Sequence, residues 1–269
     1  EKEGATWFKA SKVGRNQDRV IIKSSGEPTY RLPDIAYHRN KFERGYDFMV
    51  DILGADHMDA YPDVLAGVEQ LGCDTNKVRV RIHQFVTLME KGEPVKMSTR
   101  KAQYVTLDDL IDEVGPDVVR YFFLMRGMNT HLNFDLELAK NESDENPVYY
   151  LQYAHARLCN ILKHAESLGH EFDNNTNLSK LTLDSEILLI KSLLEFPNVI
   201  EEAHDNLEPQ SIANYLQSLA GMFHKYYAKE RVVTEYPDKT AARLVLVKAL
   251  QIVLSNGLSV LGIHAPERM

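Results

Sequence analysis

The chain has 269 residues, a net charge of −8 and 44% hydrophobic residues, a composition typical of a globular protein with room for two domains. The negative charge disfavours a protein that binds nucleic acid through bulk electrostatics, so such contacts would depend on locally placed basic and aromatic side chains. Cys73 and Cys159 lack metal-site spacing and are expected to be reduced thiols in a cytoplasmic protein. No apolar stretch approaches the length of a membrane span, so no membrane partner is expected.

The first part of the chain has the pattern of a β-α-β unit. An apolar run at residues 48–53 predicts a strand buried on both faces, as in a parallel sheet. A helix is predicted from Met58 to Leu71, with Gly72 as its stop. The alternation that begins at Val78 predicts a second strand, which continues through Leu88.

Two shorter helices are predicted further along this part. Thr106 followed by Asp109 has the spacing of a capping box and predicts a helix through Val114. Gly115-Pro116 interrupts the pattern, and a second helix is predicted over residues 117–125.

From residue 147 onward nearly every segment has a helical period. Asn146 suits an N-cap and Pro147 a first helical residue. Further helices are predicted over 183–207, from Pro209 onward, and over about 239–261. Pro197 is expected to kink or split the first of these.

The sequence therefore predicts two domains. Residues 1–146 form an α/β domain, part of a nucleotide-binding fold with parallel strands, and residues 147–269 form an all-α helical bundle.

A basic segment whose residues suit a catalytic role follows the second predicted strand. Lys96, Ser98, Arg100 and Lys101 lie within six positions, and such a loop can clamp a polyphosphate and neutralise charge on leaving pyrophosphate. The alternative is a solvated basic surface loop.

Two further groups suit ligand contacts in the α/β part. Asp56 and His57 follow the first predicted strand, where open α/β sheets bind ligands; the alternative is a polar turn that caps the next helix. Tyr30 and Asp34 combine an aromatic plane with a carboxylate, which suits a guanidinium. The alternative there is that Asp34 caps a helix that begins after Pro33.

Aromatic and basic residues also cluster in the helical part. Tyr149, Tyr150, Tyr153 and Arg157 lie near the start of its first helix, and Tyr226 and Tyr227 lie in a later one. Unstacked single-stranded bases bind to such side chains. The alternative is that these tyrosines belong to the helical core.

Taken in chain order, these segments resemble the arginine–tRNA ligases, over essentially the whole chain. The segments that carry the resemblance are Gly4-Ala5-Thr6-Trp7-Phe8, Pro28-Thr29-Tyr30, Pro33-Asp34-Ile35-Ala36-Tyr37-His38, Gly54-Ala55-Asp56-His57, Gly92-Glu93-Pro94-Val95-Lys96-Met97-Ser98, Val105-Thr106-Leu107, Gly115-Pro116-Asp117, Tyr150-Leu151-Gln152-Tyr153-Ala154-His155-Ala156-Arg157 and Ala265-Pro266-Glu267-Arg268-Met269.

The resemblance implies roles for the candidate residues. Tyr30 and Asp34 fall where the family grips the arginine side chain, and His57 falls near a position that assists. Lys96 to Thr99 fall on the class I signature loop, usually Lys-Met-Ser-Lys-Ser, which stabilises ATP phosphates. Thr99 replaces the second lysine, so Arg100 or Lys101 would supply that charge. The anticodon loop would be contacted or supported by Tyr150, Tyr153, Arg157 and Tyr227.

The implied whole enzyme joins arginine to ATP, with Mg²⁺, and transfers the arginyl group to the terminal ribose of tRNA(Arg). A monomer without a permanent cofactor or resident metal is expected. The family's other signature, His-x-Gly-His, does not occur in these 269 residues. We therefore expect the chain to be a fragment that cannot form arginyl-adenylate alone.

Two alternatives remain open from the sequence. The first is a non-catalytic tRNA-binding module that keeps the helical bundle without the chemistry. The second is an α/β nucleotide-binding enzyme of another specificity with a helical interaction domain, in which Tyr30 and Asp34 are structural.

Overall fold

The computed structural model describes residues 1–95, 105–173 and 175–269. Its contacts divide this part of the chain into two compact units. Unit 1 comprises residues 1–85 with 128–131, and unit 2 comprises residues 86–127 with 132–269.

Unit 1 contains two small sheets and two helices. Its elements in chain order are β1 (Thr6–Phe8), β2 (Arg19–Ile22), α1 (Arg31–Glu43), β3 (Met49–Gly54), α2 (Tyr61–Gln70) and β4 (Val78–His83). Strands β1 and β2 are antiparallel, whereas β3 and β4 are parallel in a register from Met49 opposite Val78 to Gly54 opposite His83. The predicted β-α-β unit is therefore confirmed as β3-α2-β4.

Strand β3 corrects the prediction of a strand buried on both faces. Met49 and Asp51 are buried, but Val50 is 38% exposed and Ile52 is 63% exposed. Successive side chains of a strand point to opposite faces. The covered face packs toward α1 through Asp51, which binds His38. The continuous apolar run could not reveal that only one of its two faces is covered.

The second predicted strand is also corrected, because it is two strands of different sheets. β4 ends at His83, and the backbone N–H of Gln84 donates to the carbonyl of Met128 at 2.8 Å. The residues that follow form β5 and pair with other strands. A run of alternating residues does not specify which partner each part of it pairs with.

Unit 2 joins a three-stranded sheet to a helical bundle. Its elements are β5 (Val86–Glu90), β6 (Glu93–Pro94), α3 (Leu107–Val114), α4 (Pro116–Leu124), β7 (Leu132–Asp135), α5 (Leu136–Lys140), α6 (Pro147–Ser167), α7 (Asp184–Asn206), α8 (Gln210–Tyr227) and α9 (Pro237–Val260). β5 lies between β6, which is antiparallel to it, and β7, which is parallel. Unit 2 is defined by contacts within the chain and includes residues well before 146. It does not test the predicted domain boundary between residues 146 and 147, which stays a prediction.

The capping residues predicted for two helices of unit 2 are confirmed. Thr106 and Asp109 form a reciprocal capping box at α3, and the Asn146 side chain accepts a hydrogen bond from the Val148 backbone at α6. Pro197 lies inside α7, which runs through it without being split.

Helix α9 is long and apolar enough to cross a membrane by length and composition. It is therefore an exception to the expectation that no apolar stretch approaches the length of a membrane span. Half of its apolar window is buried in the unit, and Leu244, Val247 and Leu250 are fully buried. Such burial is typical of the central helix of a bundle.

Candidate functional site

Tyr30 and Asp34 lie on one exposed face at the start of α1. Tyr30 immediately precedes the helix, and its carbonyl accepts a hydrogen bond from the Asp34 backbone at 3.3 Å. Residues four apart in a helix share a face. Tyr30 is 56% exposed, and Asp34 is exposed as well. The helix begins at Arg31 without a side-chain cap, so the alternative that Asp34 caps it is wrong.

The ring of Tyr30 packs against a guanidinium of its own chain. The Arg31 guanidinium carbon lies 4.8 Å from the ring centroid, and its Nε lies 3.4 Å from Asp63 Oδ2. Asp63 is 1% exposed and also binds Arg15 at 3.0 Å and Arg19 at 2.6 Å. Burial raises the pKa of Asp63, but these two arginines outweigh it and hold the pKa below its ordinary value.

Asp56 and His57 form an exposed turn at the carboxyl end of β3. They belong to the 3-10 turn Ala55–His57, and their side chains are 68% and 45% exposed with a 3.8 Å contact between them. A Cβ on Gly54 would lie 2.6 Å from Asp56 Oδ1, so a larger residue there would displace this exposed carboxylate. Helix α2 has no side-chain cap, so the capping alternative for this pair is wrong.

Lys96, Ser98 and Arg100, with Thr99 and Lys101, lie outside the described residues. The described neighbours fix where the segment leaves and returns. Val95 N–H donates to the Leu88 carbonyl at 2.8 Å, beside the β5-β6 hairpin. The chain is next described at Val105, just before the capping box of α3.

Unit 2 contains a stack of aromatic and basic side chains from α6 and α8, and it brings together residues proposed from sequence. The Arg157 guanidinium carbon lies 4.6 Å from the Tyr153 ring and 5.5 Å from the Tyr227 ring. Arg157 also donates a hydrogen bond to the Tyr153 hydroxyl. Tyr149 extends the stack, with its ring 6.4 Å from that of Tyr153 and nearly parallel to it.

His224 belongs to this stack and was missed by the sequence analysis. Its ring lies 6.0 Å from Tyr153 in a stacked arrangement and 4.7 Å from Tyr150. Burial lowers the pKa of His224, and nearby Arg157 lowers it further. Its spacing of three from Tyr227 on one helix was the signal that could have found it.

The core alternative for the tyrosines holds for one of them. Tyr226 is 2% exposed, and its hydroxyl lies 3.3 Å from Glu186 Oε1. Tyr153 is 37% exposed, and Tyr150 and Tyr227 are half-buried. These three remain accessible to a ligand.

The stack borders a cleft of about 880 Å³, which we call the aromatic cleft. Its lining includes Tyr153, Arg157, Tyr227, the segment 228–233 and Met269. Lys229 and Arg231 add positive charge to it. Local basic and aromatic placement therefore exists despite the negative charge of the whole chain.

The C-terminal tail is fastened along α6, which brings Met269 to the cleft. His155 Nδ1 donates to the Pro266 carbonyl at 2.8 Å, and Gln152 donates to the His264 carbonyl at 2.9 Å. Lys163 binds Glu267 at 2.6 Å.

A buried ion network holds Glu230 and Arg231, which line the cleft. Arg243 is 2% exposed and binds Glu186, which is fully buried, at 2.7 Å and Glu230 at 2.9 Å. It also donates to the carbonyl of Arg231. The turn after α8 is therefore held by a guanidinium from α9.

Comparison with known proteins decides the family. A family model for the class I tRNA synthetase (R) catalytic domain matches residues 1–122, and one for the DALR anticodon binding domain matches residues 151–269. The arginine–tRNA ligase of Salinibacter ruber is 55% identical over 269 residues, which is 100% of this chain and 48% of that protein. The chain belongs to the arginine–tRNA ligase family.

Other relatives give the same family. The arginine–tRNA ligase of Desulfotalea psychrophila is 52% identical over 271 residues, covering 100% of this chain and 49% of that protein. The chain thus spans about half the length of the curated relatives it matches. A Campylobacter jejuni structure assigned as an arginyl-tRNA synthetase aligns with a TM-score of 0.86 and 33% identity, covering 100% of this chain and 58% of that one.

The fold expected for an arginine–tRNA ligase is also confirmed. The Thermus thermophilus arginyl-tRNA synthetase structure, at 23% identity, covers all of this chain and 55% of that one with a TM-score of 0.83. The chain contains a partial class I domain with parallel strands, followed by a helical anticodon-binding domain. These matches favour the ligase family over an α/β enzyme of another specificity.

Proposed function

We propose that this chain is part of an arginine–tRNA ligase that activates arginine with ATP and transfers it to tRNA(Arg). The observation that carries the proposal is the exposed Tyr30–Asp34 pair on one face of α1, in a chain that is 55% identical to an arginine–tRNA ligase. In this proposal, residues 1–146 take part in arginine activation and residues 147–269 bind the anticodon.

The arginine side chain would bind at the start of α1. Asp34 would pair with the guanidinium, and Tyr30 would pack against its plane, as it does with Arg31 here. Asp56 and His57 would contribute from the end of β3, where ligands of open α/β sheets bind. Lysine, with a compact ammonium in place of a planar fork, would fit this arrangement less well.

In activation, a carboxylate oxygen of arginine attacks the α-phosphorus of ATP, and the bond to pyrophosphate breaks. Lys96 and Arg100 would neutralise the charge that develops on the leaving pyrophosphate, and the Ser98 hydroxyl would donate a hydrogen bond to it, with Mg²⁺ bound to the ATP phosphates. The ribose hydroxyl of tRNA then displaces AMP from the adenylate. Positioning and charge stabilisation account for most of this catalysis.

The aromatic cleft would receive unstacked bases of the anticodon loop. Tyr153, Tyr227 and Arg157 offer flat faces at its wall, and Tyr150 supports them through its contact with His224. We further propose that the ligase is a cytoplasmic monomer.

Removing one face of the stack is expected to weaken tRNA binding. Tyr153→Ala should lower affinity for tRNA(Arg) by roughly 1–3 kcal/mol, the range for loss of one base–aromatic stack. Fluorescence anisotropy with labelled tRNA(Arg) measures this. Tyr236→Ala is the matched control, because that tyrosine is 62% exposed and does not line the aromatic cleft. Equal losses in both variants would contradict the assignment.

We also propose that these 269 residues alone do not form arginyl-adenylate. The proposal is supported by the lack of a His-x-Gly-His motif in the sequence, since that motif lies beside the ATP site in the family. Arginine-dependent exchange of pyrophosphate into ATP, with Mg²⁺ and tRNA(Arg) present, should be at background. Clear turnover by the chain would refute this point, and a whole arginine–tRNA ligase serves as the positive control.

The alternative function is a non-catalytic tRNA-binding module. It is favoured by the fully described aromatic cleft together with the lack of that motif in the sequence. The coding sequence before Glu1 discriminates the two at little cost. A binding comparison of arginine with lysine adds an independent test, because a module without an amino-acid site would bind neither.

A further inference from the structure

Helix α1, which carries Tyr30 and Asp34, is tied to strand β3 by a buried histidine. His38 is 9% exposed, and its two ring nitrogens contact different elements. Nδ1 lies 2.8 Å from the main-chain carbonyl oxygen of Asp34, and Nε2 lies 2.6 Å from Asp51 Oδ2. The histidine therefore links the turn that carries Asp34 to strand β3.

The chemistry of the two contacts fixes the protonation of this ring. A carbonyl oxygen can only accept a hydrogen bond, so Nδ1 must carry a proton. Asp51 Oδ2 belongs to a carboxylate that also binds Lys41 through Oδ1, so Nε2 must donate as well. Only an imidazolium carries both protons.

We propose that His38 is a positioning residue for arginine binding, in which a doubly protonated ring fastens the Asp34 turn of α1 to Asp51 of β3. The inference rests on the proposed role of Asp34 in gripping arginine. His38 does not touch the substrate in this account. It fixes the backbone from which the gripping carboxylate projects.

The surrounding charges support the charged ring. The hydrogen bond to Asp51 raises the pKa of His38 and outweighs burial and Lys41, which lower it. The hydrogen bond from His38 in turn lowers the pKa of Asp51 to about 2. On the helix and strand packed against α1, Asp63 of α2 and Arg19 of β2 bind each other at 2.6 Å. Asp63 also binds Arg15 and Arg31, so this cluster carries net positive charge, and the raised pKa of His38 comes from Asp51.

The sign of the pH dependence follows from the raised pKa. The two hydrogen bonds of His38, to Asp34 and Asp51, are both present below the ordinary histidine pKa. They are not both kept as pH rises through the raised pKa of His38. A neutral imidazole has one N–H, so one of the two contacts fails. Arginine binding should therefore weaken on the alkaline side, while ATP binding, which does not use this turn, should not.

The test uses the whole ligase that contains this chain. His38→Phe keeps a ring and removes both hydrogen bonds, whereas His38→Gln keeps one donor for Asp51. We expect the arginine KM of His38→Phe to rise roughly tenfold to a hundredfold, with a smaller rise for His38→Gln, since small misplacements of binding groups cost that much. The ATP KM should stay within about twofold. His204→Gln, at an exposed histidine paired with Asp205, is the control.

Protonation is measured directly on ¹⁵N-histidine-labelled ligase, with the His38 signals assigned from their loss in His38→Phe. Two protonated nitrogens at pH 7, and a wild-type arginine KM that rises as His38 deprotonates, support the inference. A neutral His38 at pH 7, or an unchanged arginine KM in His38→Phe, overturns it. A wild-type ligase without arginine-dependent exchange would instead defeat the proposed function, so the two failures are distinguishable.

Discussion

Asp34→Ala in the whole ligase is expected to lower kcat/KM for arginine by about 3–5 kcal/mol, or roughly a hundredfold to several thousandfold. Arginine bound at α1 would bury its guanidinium against the helix without the counter-charge of Asp34. The loss should be seen mainly in the arginine KM, because the residues proposed to bind the ATP phosphates are not altered. Steady-state pyrophosphate exchange at varied arginine concentration measures it.

A charge change at the far end of the same helix provides the control. Glu43 ends α1, pairs with Arg39 at 3.0 Å and is exposed. Its replacement by alanine removes the same charge as Asp34→Ala, and it lies about nine helical rises, roughly 13 Å, from Asp34. Glu43→Ala should leave the arginine KM within about twofold, since exposed ion pairs contribute little. An unchanged arginine KM in Asp34→Ala would remove the basis for the specificity.

Arg243→Met is expected to destabilise unit 2 by about 3–5 kcal/mol, because it leaves a buried carboxylate without its cation. Glu186 is fully buried and would keep only the Tyr226 hydroxyl at 3.3 Å and the Leu183 backbone N–H at 3.0 Å. Methionine fills a similar volume, so the loss reports charge and not a cavity. Urea denaturation followed by circular dichroism should show a lower midpoint at unchanged slope.

The double variant Arg243→Met/Glu186→Gln separates charge from packing. The neutral amide still accepts from Leu183, so the double variant should be more stable than Arg243→Met alone. Lys163→Met breaks the more exposed pair with Glu267 and should lower the urea midpoint much less than Arg243→Met does. A double variant no more stable than the single one would show that the ion pair is not the cause.

Arg243→Met should also affect the aromatic cleft, because Arg243 binds residues that line it. Arg243 binds Glu230 and the carbonyl of Arg231, and both residues line the cleft. Losing these bonds weakens the attachment of the turn after α8 to α9, which Thr234 and Thr240 still join. A cleft proposed to bind tRNA is therefore supported by a group that is not accessible to any ligand.

Features that depend on neighbouring residues could be predicted from the sequence alone. The capping box at Thr106, the start of α6 at Asn146 and the β3-α2-β4 unit were predicted because caps and hydrophobic periods act within one or two turns. The order of its motifs was enough to identify the family. The pairing of Tyr30 with Asp34 on one face likewise follows from helical spacing alone.

Contacts between side chains from distant segments could not be predicted, because they depend on the tertiary structure. Arg157 lies between Tyr153 and Tyr227, His224 joins that stack, and His38 meets Asp51, because separate elements pack together. The same holds for the exposed face of β3, since a strand's apolar run does not state whether one or two layers cover it. Local preferences fix where elements begin and end, whereas long-range packing and the pairing of buried charges fix which of them form a site.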